Sequence, residues 1–141
     1  MPKTESMIRE YYEAFNERRF ADNASLFTAD AVIQHRPHSG PLQGPHGYME
    51  SARMATATFP DLHLEVLGVE RRGDTVVEVD VRAVGTQAGD WVAGELGTVK
   101  ATGASKTFRI RETIEIRGGK ITYSSLTYNL RDLFGQSAPS T

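Results

Sequence analysis

The sequence predicts an α+β domain in which helices cover one face of an antiparallel sheet. Helical patterns come first, and strand patterns fill the chain from about residue 62 to residue 129. With 141 residues, the chain is long enough to bury a core without disulfides. We expect residues 1–136 to form a single domain and residues 137–141 to be a disordered tail.

The helical part contains two amphipathic patterns separated by shorter elements. Residues 4–19 place apolar side chains at the i, i+3, i+4, i+7 spacing of one helix face, with Ile8, Tyr11, Tyr12 and Phe15. A short helix over residues 21–27 and a short strand over 31–35 follow. After a Pro/Gly/His-rich loop over 36–45, Pro45 suits the first turn of a third helix, whose apolar stripe is Tyr48, Ala52, Ala55 and Phe59.

The second half predicts a meander of strands. Residues 62–69 and 75–84 form the first pair, and Val77, Val79 and Val81 alternate with acidic residues. Residues 91–101 and 106–116 are predicted to form a hairpin around a turn at 102–105. A glycine pair at 118–119 then turns the chain into the last strand.

Composition excludes several classes of function. Lys and Arg number 16 and Asp and Glu number 18, so the chain lacks the basic excess of proteins that bind nucleic acid or anionic membranes. No cysteine is present, which removes disulfides, thiolate metal sites and a cysteine nucleophile. No apolar run approaches the roughly 20 residues that cross a bilayer. We expect a cytoplasmic domain.

Three histidines raise the question of a metal site. His35, His38 and His46 are spaced by three and eight residues across a loop, which matches no strong metal motif. We therefore expect no metal. The glycine-containing run at 40–44 lacks the strand-to-helix context of a phosphate loop, and we expect no other cofactor.

The last strand is polar on both faces. Tyr123, Ser125, Thr127 and Asn129 share one face by alternation, and the other face carries Thr122, Ser124, Leu126 and Tyr128. Either one row of polar side chains faces solvent, or one face of the strand lines a pocket that holds a polar ligand.

Glu112 interrupts an apolar row. The strand over 107–116 places it on one face with Phe108, Ile110, Ile114 and Ile116. Burial there would raise its pKa toward the range of a general base. Alternatively, the row reaches the surface or a dimer contact, and Glu112 pairs with Arg109 or Arg111.

Several phrases in this order resemble the nuclear-transport-factor-2-like superfamily and, within it, the SnoaL-like polyketide cyclases. They are YYEAFN at 11–16, LFTADAV at 26–32, FPDL at 59–62, GDTVV at 73–77, GT at 85–86, ATG at 101–103, GKI at 119–121 and LFGQ at 133–136. The resemblance implies a cone-shaped α+β barrel, with a strongly curved sheet around an internal pocket. It also implies a homodimer through the outer sheet face, with Leu126, Tyr128, Val77, Val79 and Val81 as contributors.

The resemblance also indicates where catalytic groups would lie. In the cyclases, the proposed acid/base is a carboxylate at the end of the last strand, and Asn129 occupies that place. An amide cannot act as that base, although its NH2 group can donate to a carbonyl or enolate oxygen. His35 stands about where ketosteroid isomerase keeps its catalytic aspartate, and neutral imidazole is a competent base. A hydrogen-bonded structural histidine is the alternative.

Aromatic residues in such a cone commonly stack on a planar ligand. The candidates for binding a hydrophobic small molecule are Tyr12, Phe15, Tyr48, Phe59, Trp91 and Tyr123, and ordinary core packing is the alternative for each.

Three functions remain open at this stage. The first is aldol-type cyclisation of a hydrophobic carbonyl compound, with Glu112 or His35 moving the proton and Asn129 with Tyr123 stabilising the oxyanion. The second is a dimer that binds small molecules without catalysis. The third is isomerase or epoxide hydrolase activity, the latter through Arg111 and Glu112.

Overall fold

The protein is described here by a computed structural model that covers residues 2–36, 42–92 and 98–128. Its helices are α1 (Pro2–Asn16), α2 (Phe20–Ala24) and α3 (Gly44–Thr58). Its strands are β1 (Phe27–Arg36), β2 (Leu42–Gln43), β3 (His63–Arg71), β4 (Val76–Thr86), β5 (Trp91–Val92), β6 (Thr98–Val99), β7 (Ser105–Arg117) and β8 (Lys120–Tyr128).

The main sheet has six strands in the order β2-β1-β8-β7-β4-β3. Its pairs are antiparallel except β1 and β8, which run parallel. Helix α1 packs against β3, and α3 packs against β1. The predicted α+β class is confirmed, with the N-terminal helices on one face of a mostly antiparallel sheet.

Local sequence explains the ends of several elements. Arg18 adopts a positive φ of 63° just after α1, which stops the helix. Gly118 and Gly119, with φ of 57° and 77°, form the turn between β7 and β8, where a side chain would strain the backbone.

Two predicted elements are corrected. Residues 91–101 do not form one long strand, because β5 and β6 pair with each other in a separate small sheet. Strand β7 instead lies between β8 and β4, and Thr86 of β4 is opposite Ser105 of β7. The short second helix ends at Ala24, and Phe27 already begins β1.

The valines of β4 lie inside the core rather than on the outer surface. Val77, Val79 and Val81 are each at most 3% exposed. The expectation that they contribute to a dimer contact is therefore wrong, since the alternating residues Glu78 and Asp80 occupy the outer face. No helix of the described residues is long and apolar enough to span a membrane.

Candidate active site

A cavity of about 310 Å³ lies between the inner face of the sheet and the helices. This volume is at the lower end of the range of about 300–1,000 Å³ for ligand pockets. Its lining is mostly apolar and includes Phe27, Ile33, Phe59, Leu64, Phe108 and Ile110. Such a surface suits a small hydrophobic compound.

Glu112 contributes a carboxylate to the lining of this cavity. The residue is only 2% exposed. The Tyr12 hydroxyl donates a hydrogen bond to its Oε1 atom, and the Ser124 hydroxyl donates to Oε2 at 2.5 Å. Each carboxylate oxygen thus has one hydroxyl partner, and neither partner carries a charge.

The alternation of β7 explains why Glu112 faces inward. Its neighbours Arg109 and Arg111 are exposed on the opposite face, where they pair with Asp80 at 2.6 Å and Glu78 at 3.5 Å. The alternative pairing of Glu112 with either arginine is excluded by this geometry. So is the arrangement expected for an epoxide hydrolase, because Arg111 and Glu112 point to opposite faces.

Burial dominates the electrostatics of this carboxyl. Removal from water raises the pKa of Glu112, and the hydrogen bonds from Ser124 and Tyr12 oppose part of that rise. Burial also raises the pKa of Tyr12, which the Glu112 charge raises further. Tyr12 therefore remains a neutral donor while Glu112 is a base of increased strength.

Four of the predicted aromatic residues line the cavity: Tyr12, Phe15, Tyr48 and Phe59. Each of them also packs against another aromatic ring of the core. The rings of Phe27 and Tyr48 stack with centroids 5.1 Å apart, and Phe59 lies 5.6 Å from Phe108. The same rings thus pack in the core and line the cavity.

Tyr123 is not among the residues that line the cavity, contrary to the expectation that it contacts a ligand. A bulge shifts the register, because Glu115 pairs with Tyr123 but Ile116 pairs with Ile121. The extra residue, Thr122, moves the even-numbered side chains of β8 to the inner face. Ser124, Leu126 and Tyr128 consequently line the cavity. Leu126 and Tyr128 therefore lie on the inner face of the sheet and not on the outer face, where they were expected.

Other candidates fall partly or wholly outside the described residues. Asn129 and His38 lie outside them. His35 is paired with Leu126 in the β1–β8 register, and Trp91 begins β5, but both side chains lie outside the description. Among the described residues, no three His, Asp or Glu side chains are grouped to hold a metal ion.

Sequence reasoning missed several polar residues of the cavity, among them Tyr11, Ser124 and Tyr128. Tyr11 stands on the same helical stripe as Tyr12, which was the available signal. Arg53 and Asp90 also contribute to the lining. Arg53 forms an ion pair with Glu50, and Asp90 accepts a hydrogen bond from the Ala101 N–H at 2.9 Å.

Solved structures share this fold. IdmH of Streptomyces antibioticus, described as a putative polyketide cyclase, has a TM-score of 0.74 and 23% identity over 94% of this chain and 96% of that chain. AclR of Streptomyces galilaeus, described as a putative hydroxylase, has a TM-score of 0.75 and 18% identity over 94% and 92%. A Catenulispora acidiphila protein with a ketosteroid isomerase-like fold, solved with trimethylamine, has a TM-score of 0.75 and 17% identity over 93% and 91%.

These identities show a shared fold and do not extend to activity. No curated protein matches the sequence. The family described as SnoaL-like domain matches residues 8–124. Since that match covers most of the chain, the protein belongs to the SnoaL-like domain family.

Proposed function

We propose that this protein is a cofactor-independent enzyme of the cyclase type, which moves a proton at the carbon beside a carbonyl group of a hydrophobic compound. The observation that carries the proposal is Glu112, a buried carboxylate in a mostly apolar cavity with only neutral hydroxyl donors as partners. A carboxylate desolvated in this way is a stronger base than one in water.

The proposed reaction begins with the ionised carboxylate. Glu112 takes a proton from the α-carbon, the C–H electron pair forms the enolate double bond, and the carbonyl π pair moves to the oxygen. The enolate carbon then attacks a second carbonyl carbon in the same molecule, and the proton on Glu112 goes to the new alkoxide. Each step moves the negative charge between Glu112 and the substrate, so the reaction leaves the total charge in the cavity unchanged.

Tyr12 and Ser124 are proposed as positioning residues in this reaction. Their hydroxyls hold the two carboxylate oxygens and limit the rise of the pKa of Glu112. A carboxyl protonated throughout the neutral range could not act as a base, so these bonds support ionisation at working pH.

His35 and Asn129 remain proposed catalytic residues from the family resemblance, and Trp91 remains a proposed ligand contact. The geometry of the described residues favours Glu112 as the base. Asn129 would act as a donor to an oxyanion and not as a base.

The experiment follows exchange of α-protons for deuterium by NMR, using aromatic polyketide methyl esters and bicyclic ketones in D2O. Glu112→Gln should lower the exchange rate by about 100- to 10,000-fold, the usual range for a general base. Glu115→Gln removes a carboxylate from the outer face of the same strand and should leave the rate unchanged. His35→Ala and Asn129→Ala measure those residues separately. Equal rates for Glu112→Gln and the wild type would reject Glu112 as the base.

A second function, binding without catalysis, is favoured by one observation. Both oxygens of Glu112 already accept hydrogen bonds, as they would in a purely structural carboxylate. Thermal stabilisation by apolar ligands, with neither exchange nor ring closure at any pH, would support this function and contradict the first.

We also propose a homodimer, on the family resemblance alone. Sedimentation at the mass of one chain over the micromolar range would contradict it.

A further inference from the structure

The cavity opens to solvent beside the C-terminal half of α3. Of the described residues that line it, three are exposed, and these are Arg53, Ala57 and Asp90. The side chains of Arg53 and Asp90 are 67% and 46% exposed, whereas Glu112 is buried. The exposed residues therefore form the mouth of the cavity, and Glu112 lies in its interior.

The segment over residues 88–90 is fixed against the end of α3. The N–H groups of Ala88 and Gly89 donate to the Thr58 carbonyl oxygen at 2.9 and 3.1 Å. Gly89 lies so close to the helix that a Cβ atom there would come within 2.5 Å of the Ala57 carbonyl oxygen. These contacts hold Asp90 next to the last turn of α3, so the two sides of the mouth are positioned before a ligand enters.

The two charged residues of the mouth differ in the hydrogen bonds that they can still make. Both carboxylate oxygens of Asp90 have partners, since the Ala101 N–H donates to Oδ1 at 2.9 Å and Lys100 Nζ lies 3.7 Å from Oδ2. Arg53 donates to Glu50 through Nε, at 3.3 Å, and through Nη2. In the part of the chain that the structure describes, Nη1 of Arg53 has no acceptor. A guanidinium has five N–H donors, so Arg53 can bind a second acceptor while it keeps Glu50.

The interior of the cavity disfavours a second negative charge. Glu112 already places a carboxylate there, and its hydrogen-bond partners are neutral hydroxyls. Like charges repel strongly where water is excluded. An anionic group of a ligand is therefore most stable at the mouth, where water and Arg53 solvate it, and the apolar part of the ligand fills the interior.

We propose that Arg53 is a specificity-determining residue, which binds a carboxylate group of the ligand at the mouth of the cavity. As a statement about the substrate this rests on the proposed function, and it narrows the substrate to a compact hydrophobic carbonyl compound with a carboxylate at the end remote from its reactive α-carbon. The α-carbon lies at Glu112 and the carboxylate at Nη1 of Arg53, so the two protein charges fix the orientation of the ligand.

The test compares two probes of the same shape that differ in charge, 2-naphthylacetate and 2-naphthylacetamide. Their dissociation constants are measured by isothermal titration calorimetry at neutral pH and low ionic strength. Arg53→Met keeps the apolar stem of the side chain and removes its charge. This variant should weaken binding of the carboxylate by about five- to tenfold and leave binding of the amide unchanged, because the lost interaction is a charge-assisted hydrogen bond at a partly hydrated site.

Two further variants separate this interaction from a general effect of charge. Arg109→Met removes the same charge from the outer face of the sheet and should leave both affinities unchanged. Glu50→Gln removes the carboxylate that competes for Arg53, so it should strengthen binding of 2-naphthylacetate alone. Addition of salt should weaken binding of the carboxylate and not of the amide, since the interacting charges are exposed.

The assignment of Arg53 is overturned if 2-naphthylacetate does not bind the wild type. It is also overturned if Arg53→Met affects the two probes equally, or if Glu50→Gln fails to strengthen binding of the carboxylate. Both side chains reach solvent on α3, so these variants should fold, and thermal unfolding verifies that they do.

These measurements do not require turnover. Binding of the carboxylate that depends on Arg53, without α-proton exchange in the wild type, would retain the site at the mouth and reject the proposed function. Exchange that depends on Glu112, with binding of the carboxylate indifferent to Arg53, would do the reverse.

Discussion

The pKa of a glutamate is raised on the inner face of the sheet and lowered on the outer face. Glu112 and Glu115 are three positions apart on β7, and each accepts a hydrogen bond from a hydroxyl of β8. Burial raises the pKa of Glu112, which points into the cavity. The Thr122 hydroxyl and the Arg117 guanidinium lower the pKa of Glu115, which is on the outer face.

Because both carboxyls accept a hydrogen bond from a hydroxyl of β8, the difference shows that exposure to water affects their pKa more than this shared partner does. The outer carboxylates Glu78, Asp80 and Glu115 are partly hydrated, and each lies near an arginine. Such pairs contribute little to stability, because water already solvates both charges. The inner carboxylate is removed from water and has no cation beside it, so burying its ionised form costs free energy. A costly group of this kind is a candidate for function.

The largest expected effect is on the free energy of unfolding, when a side chain is truncated on the inner face rather than on the outer face. Ile114 is fully buried next to Glu112 on the inner side, and Arg109 is half exposed on the outer side. Ile114→Ala should reduce the free energy of unfolding by about 2–5 kcal/mol, because it leaves a cavity in the core. Arg109→Ala should cost about 1 kcal/mol or less. Urea unfolding monitored by circular dichroism measures both.

Equal losses for these two variants would contradict the division into a packed inner face and a solvated outer face. Thr113→Ala, on the outer face beside Ile114, is the control for a change in strand propensity. We expect its effect to stay close to that of Arg109→Ala.

How far the sequence could predict this division depended on the regularity of each strand. On β7 the alternation is unbroken from Phe108 to Ile114, so Glu112 was correctly predicted to share a face with apolar residues. On β8 the alternation correctly groups Ser124, Leu126 and Tyr128 on one face, but it does not tell which face lines the cavity. Nothing in the sequence of that strand indicates the bulge at Thr122 that sets the faces. The family resemblance favours the face of Tyr123 and Asn129, so Ser124 is not among the predicted site residues.

The helices show a second limit. The stripe of α1 predicted that Tyr11 and Tyr12 are buried, but periodicity cannot tell a side chain packed in a core from one that lines a cavity. That distinction depends on the space left between α1, α3 and the sheet, which only the folded arrangement fixes. The partner of Tyr12 lies 100 residues away along the chain.

The next effect concerns pH and stability, and it has opposite signs on the two faces. The folded pKa of Glu112 lies above its usual value of 4.5, so above that value the unfolded chain loses a proton that the folded protein keeps. Stability from this group therefore falls as pH rises from the usual value to the folded pKa. For Glu115 the folded pKa lies below the usual value, so its contribution is present above that value and is lost as pH falls.

Unfolding free energies measured across the acidic to neutral range should reveal the two signs. As pH rises from the usual pKa to the folded pKa of Glu112, the wild type should lose stability relative to Glu112→Gln. As pH rises from the folded pKa to the usual pKa of Glu115, the wild type should gain stability relative to Glu115→Gln. The second difference should be the smaller, since Glu115 is solvated. Two difference curves of the same sign would contradict the assigned environments.

The smallest expected effect is a shift in the pKa of Glu112 when a donor is removed. Tyr12→Phe deletes the hydrogen bond to Oε1 and should raise the pKa of Glu112 further, because that bond stabilises the ionised form. Ser124→Ala should act in the same direction through Oε2, and Tyr123→Phe should have no effect. A pH titration of the 13C-labelled carboxyl by NMR reports the shift directly and does not require a substrate. If Glu112 also acts as the base, the pH at which α-proton exchange reaches half its maximum should move upward by the same amount. A downward shift would mean that the Tyr12 hydroxyl does not stabilise the ionised carboxylate, and the inner face would then differ from the outer face by burial alone.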